Sequence, residues 1–580
     1  MPYDIVIGRN KEDKEKFGNQ GLIYLGKGYV KMGNYTSLSN KIWLDVVRSH
    51  VILVAGKRGC LTGETNVFTD KGYKPIKEFN VKKDKILSFN KEKKEFEWET
   101  ADLLKYDISK ENLLEIELED RRKLQLTKEH PLLSTIGDRL LSLIWLKANK
   151  LKKEDYLLSI DNELKNLEPI KIKSIKEIEN IKEVYDLSVN KNHSFIANGI
   201  ISHNSGKSYS LGVICEELSD LPEEVKKNIA PLIFDTMGIF WTMKYKNEKD
   251  IGLLEEWELK PRDLPANVWV PAGYFDEYEK RGIPVDKKFA LAVSELNIED
   301  WLSIFNLEMT EPVSVLIQKI ISELQSLPQF GIEDIIELIN KTKEAEEQTK
   351  KSAKALFEAA NSWKVFAKKN EPATKITDLV CAGKTSILDL SVYSSTSAFN
   401  VRALIIGLVS KKIFNQRILA RKKEEIESIK HGIDSSYKEE KEMPLVWLFL
   451  DEAHEFLPQN EKTPASNALI QLLREGRQPG ISLVLATQQP GVIHRDVMTQ
   501  SDVIISHRLT NKKDIEALNE IMQSYLLESI NKSMRNLPDL RGSAILLDDN
   551  SERLYPVRIR PRFTWHGGEA PKAVSEKEEV

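Results

Sequence analysis

Cysteine is scarce in this chain. Cys60, Cys215 and Cys381 are the only three in 580 residues, too few for a disulfide framework, so a reducing, cytoplasmic setting is expected. Long apolar runs are missing too. No stretch reaches the roughly 20 residues that a membrane-spanning helix needs, and no secretory leader is read at the start. A charge excess of either sign is also absent: 85 Lys and Arg nearly balance 89 Asp and Glu, for a net charge of −4. Such a chain does not advertise nucleic-acid binding through its overall field. Any DNA contact must come from a local basic surface, such as the pore of a ring.

What the chain also lacks is an unbroken phosphate loop, although it holds both halves of one. Gly56-Lys57-Arg58-Gly59 and Ser205-Gly206-Lys207-Ser208 are separated by residues 60–204. Joined, they read GKRGSGKS, a match to G-x-x-x-x-G-K-[ST], whose glycines and backbone N–H groups cradle phosphates. A strand-like run, Val51 to Ala55, leads in, and a helix-like run from Tyr209 to Leu218 leads out. One protein is inserted into the phosphate loop of another.

The edges of the 145-residue insert carry chemistry of their own. Cys60 can attack the preceding carbonyl and convert the Gly59–Cys60 amide into a thioester. The Ser205 hydroxyl can capture the acyl group, and the Asn204 side-chain amide can cyclise and release the segment. Taken singly, a Cys is usually a small core residue and a His a structural one. Here the reactive residues coincide with the one pair of boundaries that rebuilds the loop.

The block LTGETNVFTDKG, the TxxH motif in Leu126-Thr127-Lys128-Glu129-His130-Pro131, and the closing VYDLSVNKNHSFIANGIISHN resemble an intein throughout. The resemblance implies that Thr127 and His130 polarise the upstream scissile bond. It also implies that Asp186 and His193 assist the middle and late steps, and that His203 aids Asn204. Ser194 stands where the family more often has Asn. No acidic dodecapeptide of a homing endonuclease is visible, so a minimal all-β splicing domain (Hint-type) is expected, its strands punctuated at Gly72, Pro75, Asn90 and Gly137.

The insert balances 26 basic against 26 acidic residues, so the 435-residue host keeps the whole net charge. In the host, Val446 to Leu450 reads as a buried strand ending in Asp451-Glu452. Beside a phosphate loop, Asp451 can hold Mg²⁺ and Glu452 can orient the attacking water for ATP hydrolysis. The letters Asp451-Glu452-Ala453-His454 spell a helicase tag, but the other motifs of that superfamily are absent. A further strand, Ile481 to Ala486, ends in Thr487-Gln488-Gln489-Pro490. Gln488 can sense the γ-phosphate there, or be an ordinary turn residue. Arg474 and Arg477 flank a turn before this strand, where an Arg is by default a surface ion-pair residue, or else a finger reaching a neighbour's nucleotide.

FLDEAHEFLP, REGRQPGISLVLATQQP, SDVIISHRLTNKKDIEAL and LYPVRIRPRFTWHGG, with the rebuilt loop, resemble the HerA-like branch of the HerA/FtsK ATPases, hexameric DNA translocases. The resemblance implies an α/β RecA-like core, ATP and Mg²⁺ as cofactors, DNA as partner and a homo-hexamer without membrane contact. A NurA-type nuclease partner and a role in DNA-end processing also follow from it. It favours Arg477 over Arg474 as the trans-acting residue. Gly56, Gly59, Gly206, Lys207 and Ser208 fall to the phosphates, with Ser208 and Asp451 at the metal. Arg558, Arg560 and Arg562 are weaker candidates for a cis sensor or DNA contact. Two departures stand out. Only some 55 residues precede the loop, where the family has a small β-barrel. After the second strand an acid of the family pattern is missing from Asp235-Thr236-Met237-Gly238-Ile239-Phe240.

The expected organisation is an N-terminal segment with the first half of the loop (1–59), the splicing domain (60–204), ATPase core (205–285), a helical insertion (286–370), ATPase core (371–568) and a tail (569–580). In the insertion, the apolar stripe from Val315 to Ile321 reads as bundle core. The charged run from Lys411 to Met443 reads as a helix followed by a loop. Two further readings stay open from the residues: an ATPase remodelling protein complexes without acting on DNA, and a host whose insert no longer splices.

Overall fold

The computed structural model describes residues 4–32, 35–56, 61–80, 83–90, 95–99, 101–107, 113–127, 130–135, 143–148, 151–160, 167–178, 183–189, 194–203, 207–327, 329–368, 371–393, 399–431, 443–507, 509, 516–518, 537–538, 540 and 542–566. Two sheets hold their strands.

The host sheet has thirteen strands. Its centre is the all-apolar Val51–Ala55 (the loop strand), buried at every residue as a parallel strand covered on both faces must be. On one side of it lie, in order, Ile481–Thr487 (the sensor strand), Leu445–Leu450 (the acid strand), Ile229–Asp235, Thr385–Asp389, Ala266–Pro271 and Lys287–Phe289. On the other side Val503–His507 continues the parallel run. Every neighbour pair across these eight strands is parallel. The sensor strand thus separates the loop strand from the acid strand, and their carboxyl ends are level: Ala55 pairs with Thr487, and Leu450 with Leu485. Ligands of open α/β sheets sit at these carboxyl ends.

Alternation along the loop strand assigns the two faces. Val51, Leu53 and Ala55 belong to a core with the helices Phe399–His431 and Ser466–Glu475. Ile52 and Val54 pack on Leu211, Ile214 and Leu218 of Lys207–Ser219 (the loop helix).

In place of a separate barrel, the N-terminal strands extend this sheet. Leu22–Met32 pairs antiparallel with Arg553–Ile559 and with Tyr35–Asp45, and Ile5–Ile7 closes the edge. Gly26 is needed at that seam, because a Cβ there would stand 2.1 Å from the Arg558 carbonyl oxygen.

Between Asp286 and Lys369 lie four helices: Ile298–Phe305, Pro312–Leu324, Ile332–Lys341 and Glu347–Ser362. Asn297 and Asp300 form a capping box at the first. Leu316, Ile317, Ile320 and Ile321 are buried, so the stripe is core as read, while Val315 is exposed. Trp301 and Phe357 meet edge-on at 4.9 Å in the centre. The Phe399–His431 helix covers the first part of the charged run; the tail and residues 432–442 lie outside the described residues. Among the described residues no helix is long and apolar enough to cross a membrane.

The insert leaves the host between the loop strand and the loop helix. Its sheet has fifteen strands, and no α-helix occurs among its described residues. Leu61, Leu114, Leu126, Leu132, Leu187 and Phe195 share its core.

Candidate nucleotide site and splicing junction

At the carboxyl ends of the host strands the two halves of the predicted site meet. The Ser208 hydroxyl, in the first turn of the loop helix, donates to Asp451 Oδ2 at 2.6 Å. Gly56 N–H donates to the Thr487 carbonyl at 3.2 Å, which fixes the upstream end of the loop to the sensor strand. A hydroxyl and a carboxylate oxygen side by side are the hard donors that suit Mg²⁺. The residues present fit that ion. Gly59, Cys60, Asn204, Ser205 and Gly206 lie outside the described residues. For Lys207 the backbone is described and the side chain is not.

Glu452 follows Asp451 with a left-handed backbone (φ 49°, ψ 43°). Its N–H donates to Asp451 Oδ1 at 2.8 Å. Its carboxylate accepts from Gln488 Nε2 and has His454 Nδ1 at 3.5 Å. Sequence reading named Glu452 and Gln488 but passed over His454. The four-letter tag containing it was visible, yet nothing in its spacing told where the imidazole would point.

Arg477 sits at the other end of the sheet, in the turn before the sensor strand. Its guanidinium donates to the Gln500 carbonyl and stands 3.8 Å from Asp502 Oδ1. A seven-residue strand separates it from the Thr487 tip, a span of roughly 20 Å. Arg474 pairs with Asp496 Oδ2 at 2.5 Å on the exposed face of its helix.

Arg560 and Arg562 do not reach the surface, which overturns DNA contact for both. Arg560 donates to Glu216 at 2.9 Å and Glu217 at 2.8 Å, and Arg562 to Glu216 at 3.0 Å. All four side chains are buried or nearly so. Glu216 and Glu217 belong to the loop helix, so the arginines clamp that helix from behind. Gly212 gives Arg562 its room, because a Cβ there would lie 2.6 Å from the guanidinium carbon. Asp235, the acid that the family pattern retains, caps its own turn. Its carboxylate accepts from Gly238 N at 2.7 Å and Phe240 N at 2.8 Å, while burial and the neighbouring Asp389 raise it above the usual carboxylate range.

In the insert, strand register places the described members of the predicted splicing set. Leu61, which follows Cys60, pairs antiparallel with Leu126 on one side and Tyr185 on the other. Thr127 and Asp186 are the next residues along those two partners. His130 is fully buried, and its N–H donates to the Thr127 carbonyl at 3.0 Å. Leu132 pairs with Ser202, one residue before His203. The hairpin of Ser194–Ala197 and Ile200–His203 ends on the Ser194–His203 pair, and His193 lies outside the described residues. For Asp186 and His203 the backbone alone is described. Asn198-Gly199 makes the hairpin turn with φ 47° and 82°. Asn198 Nδ2 also donates to the Lys123 carbonyl at 2.7 Å, and its Oδ1 accepts from Asn66 N at 2.7 Å. That residue ties the downstream hairpin to the strand Lys123–Leu126, just before Thr127. Sequence reading did not single it out, although Asn-Gly is a hairpin signal.

Comparison with known proteins divides the chain at the same place. Residues 66–204 match the intein splicing domain, and residues 205–413 match the central domain of helicase HerA. The DNA double-strand break repair helicase HerA of Pyrococcus furiosus is 27% identical over 194 residues, 30% of this chain and 33% of that protein. A probable DNA double-strand break repair helicase HerA of Methanocaldococcus jannaschii is 31% identical over 144 residues, 23% of this chain and 27% of that protein. The chain spans a third or less of these curated relatives. Among solved structures, the DnaX mini intein from Spirulina platensis is 25% identical with a TM-score of 0.22, covering 25% of this chain and 99% of its own. The PabCDC21-1 intein is 20% identical with a TM-score of 0.23, covering 25% of this chain and 98% of its own. The chain is a HerA-like protein interrupted by an intein splicing domain.

Proposed function

We propose that the chain is a precursor that excises residues 60–204, and that the joined host hydrolyses ATP as a ring moving along DNA, in the processing of DNA ends with a NurA-type nuclease. The Ser208–Asp451 hydrogen bond carries this reading. It places the hydroxyl of one half-motif on the acid of the other, 243 residues along the chain.

Lys207 binds the β- and γ-phosphates, and Ser208 with Asp451 holds Mg²⁺, which when bound neutralises charge on the phosphate oxygens. Glu452 orients the attacking water. Arg477, too far from its own loop, serves the nucleotide of a neighbouring subunit. The relatives named as DNA repair helicases support DNA as the track. In the insert, Thr127 and His130 polarise the Gly59–Cys60 bond and Cys60 forms the thioester. Ser205 then takes the acyl group, and Asn204, aided by His203, cyclises to release the insert.

Expression of the full-length chain tests both halves. A mass spectrum should show a 435-residue host and a 145-residue insert in place of the 66.4 kDa precursor. Asn204→Ala should block release of the insert. Lys207→Ala should splice and leave the host without ATPase activity. DNA should stimulate phosphate release by the joined host. A host that hydrolyses ATP but ignores every DNA offered belongs instead to the remodelling class, and a persistent precursor sinks the splicing reading.

A further inference from the structure

Glu452 is an unusual residue at which to find a left-handed backbone. That conformation is disfavoured for a non-glycine residue and persists only where surroundings enforce it. The N–H bond to Asp451 Oδ1 is one such restraint. Its consequence is that Glu452 breaks the in-and-out alternation of the acid strand and turns towards the tip of the sensor strand. There Gln488 Nε2 donates to Oε1.

A glutamate restrained at one oxygen can still turn about its terminal torsion, which is broad and poorly fixed by sterics. His454 supplies a second point. It lies in the single helical turn Ala453–Glu455, and that turn brings its ring back over Glu452. Nδ1 stands 3.5 Å from Glu452 Oε2 and 3.3 Å from Thr487 Oγ1, and Nε2 stands 3.5 Å from Gln489 Nε2. One imidazole therefore spans the turn of the acid strand and the tip of the sensor strand. Its side chain is only 16% exposed, and that of Glu452 17%.

We infer that His454 is a positioning residue for Glu452: its ring stands at ion-pair distance from Oε2 while Gln488 holds Oε1 at the sensor tip. This rests on the ATPase reading above. Gln488 in turn works through Glu452, beyond any reading of the γ-phosphate. Rotational freedom of a water-orienting group lowers the fraction of encounters in a reactive geometry, a loss felt in kcat rather than in substrate binding.

The test uses host protein obtained by expressing the full-length chain, with steady-state ATP hydrolysis measured on His454→Ala, His454→Asn, Glu452→Gln and the Glu452→Gln/His454→Ala double variant. His454→Ala should lower kcat on the order of tenfold while KM for ATP stays within about twofold. His454→Asn, which keeps a nitrogen donor near the position of Nδ1, should recover most of the loss. In the Glu452→Gln background, His454→Ala should add nothing further, because residues acting as one unit are non-additive. An unchanged kcat, an equal loss in both backgrounds, or an Asn variant as poor as Ala overturns the positioning role while the parent's activity leaves the ATPase reading standing. A parent that hydrolyses no ATP overturns both.

Discussion

His50 is a buried cation in a sheet of apolar strands. Its Nδ1 stands 2.6 Å from Asp502 Oδ2, and Nε2 is at an ion-pair distance of 3.7 Å from Asp45 Oδ2. Burial alone would push the imidazole down, but the two carboxylates outweigh it and lift it from 6.5 to about 9. Asp502 is correspondingly held below the usual carboxylate range. A basic group raised in the folded state adds stability that is complete below its unfolded value and lost as pH rises through its folded value. The His50 contribution is therefore present at pH 6.5 and below, worth roughly 3 kcal/mol at most, and gone above about pH 9. Denaturant unfolding of the parent and His50→Gln at pH 6, 8 and 10 checks this. Their difference in stability should shrink across the series, and a constant difference refutes the assignment. Asp502 also faces Arg477 at 3.8 Å and accepts from Val51 N at 2.8 Å. The same cluster thus fixes the start of the loop strand and the turn that presents Arg477.

At the scale of elements, the loop helix is held at both ends. Ser208 ties its first turn to Asp451, and Glu216, two turns on, meets Arg560 and Arg562. Removing one partner from such a buried cluster leaves uncompensated charge, which costs about 3–5 kcal/mol. Glu216→Ala should lower the unfolding free energy of the host by that amount, and Glu216→Gln by less because it keeps hydrogen-bond acceptance. A loss below about 1 kcal/mol, the range of exposed ion pairs, would show that the cluster is solvated. The strand of residues 51–55, the acid strand and the sensor strand were legible in the sequence to within a residue or two. Each is a short apolar run with a glycine or polar residue at its tip, the pattern that a covered parallel strand produces. Arg560 and Arg562 were not legible. Such an arginine reads as surface until its partner is seen beside it, as Glu216, 344 positions earlier, stands beside Arg560.

At the scale of the whole molecule, the splicing insert occupies the gap in a core that is already assembled. Loop strand, loop helix and acid strand are in one packed layer with the insert present, so the proposed excision calls for joining of the loop and not for a change of strand order. The proposed trans role of Arg477 extends the whole-molecule question to neighbours, since roughly 20 Å separates it from its own loop. Lys207→Ala and Arg477→Ala proteins should each be inactive alone. Mixed before assembly, they should recover part of the ATPase activity, because an interface pairing an intact loop with an intact Arg477 then exists. Failure of every mixing ratio to restore activity argues against action in trans.

The sequence by itself determined the split phosphate-loop motif, the residues proposed to react at its two edges, the acid after the strand and the all-β character of the insert. These are local matters, set by residue type and short spacing along the chain. Only the tertiary structure decided that Ser208 meets Asp451, that His454 reaches Glu452, and that the terminal arginines face inward to Glu216. It also decided that strand register brings Leu126 and Tyr185, the residues just before Thr127 and Asp186, to the two sides of Leu61. Apart from His454 and Glu452, which share one turn, these are contacts between residues distant in the chain, fixed by parallel strand order and by the cost of burying a charge without its partner.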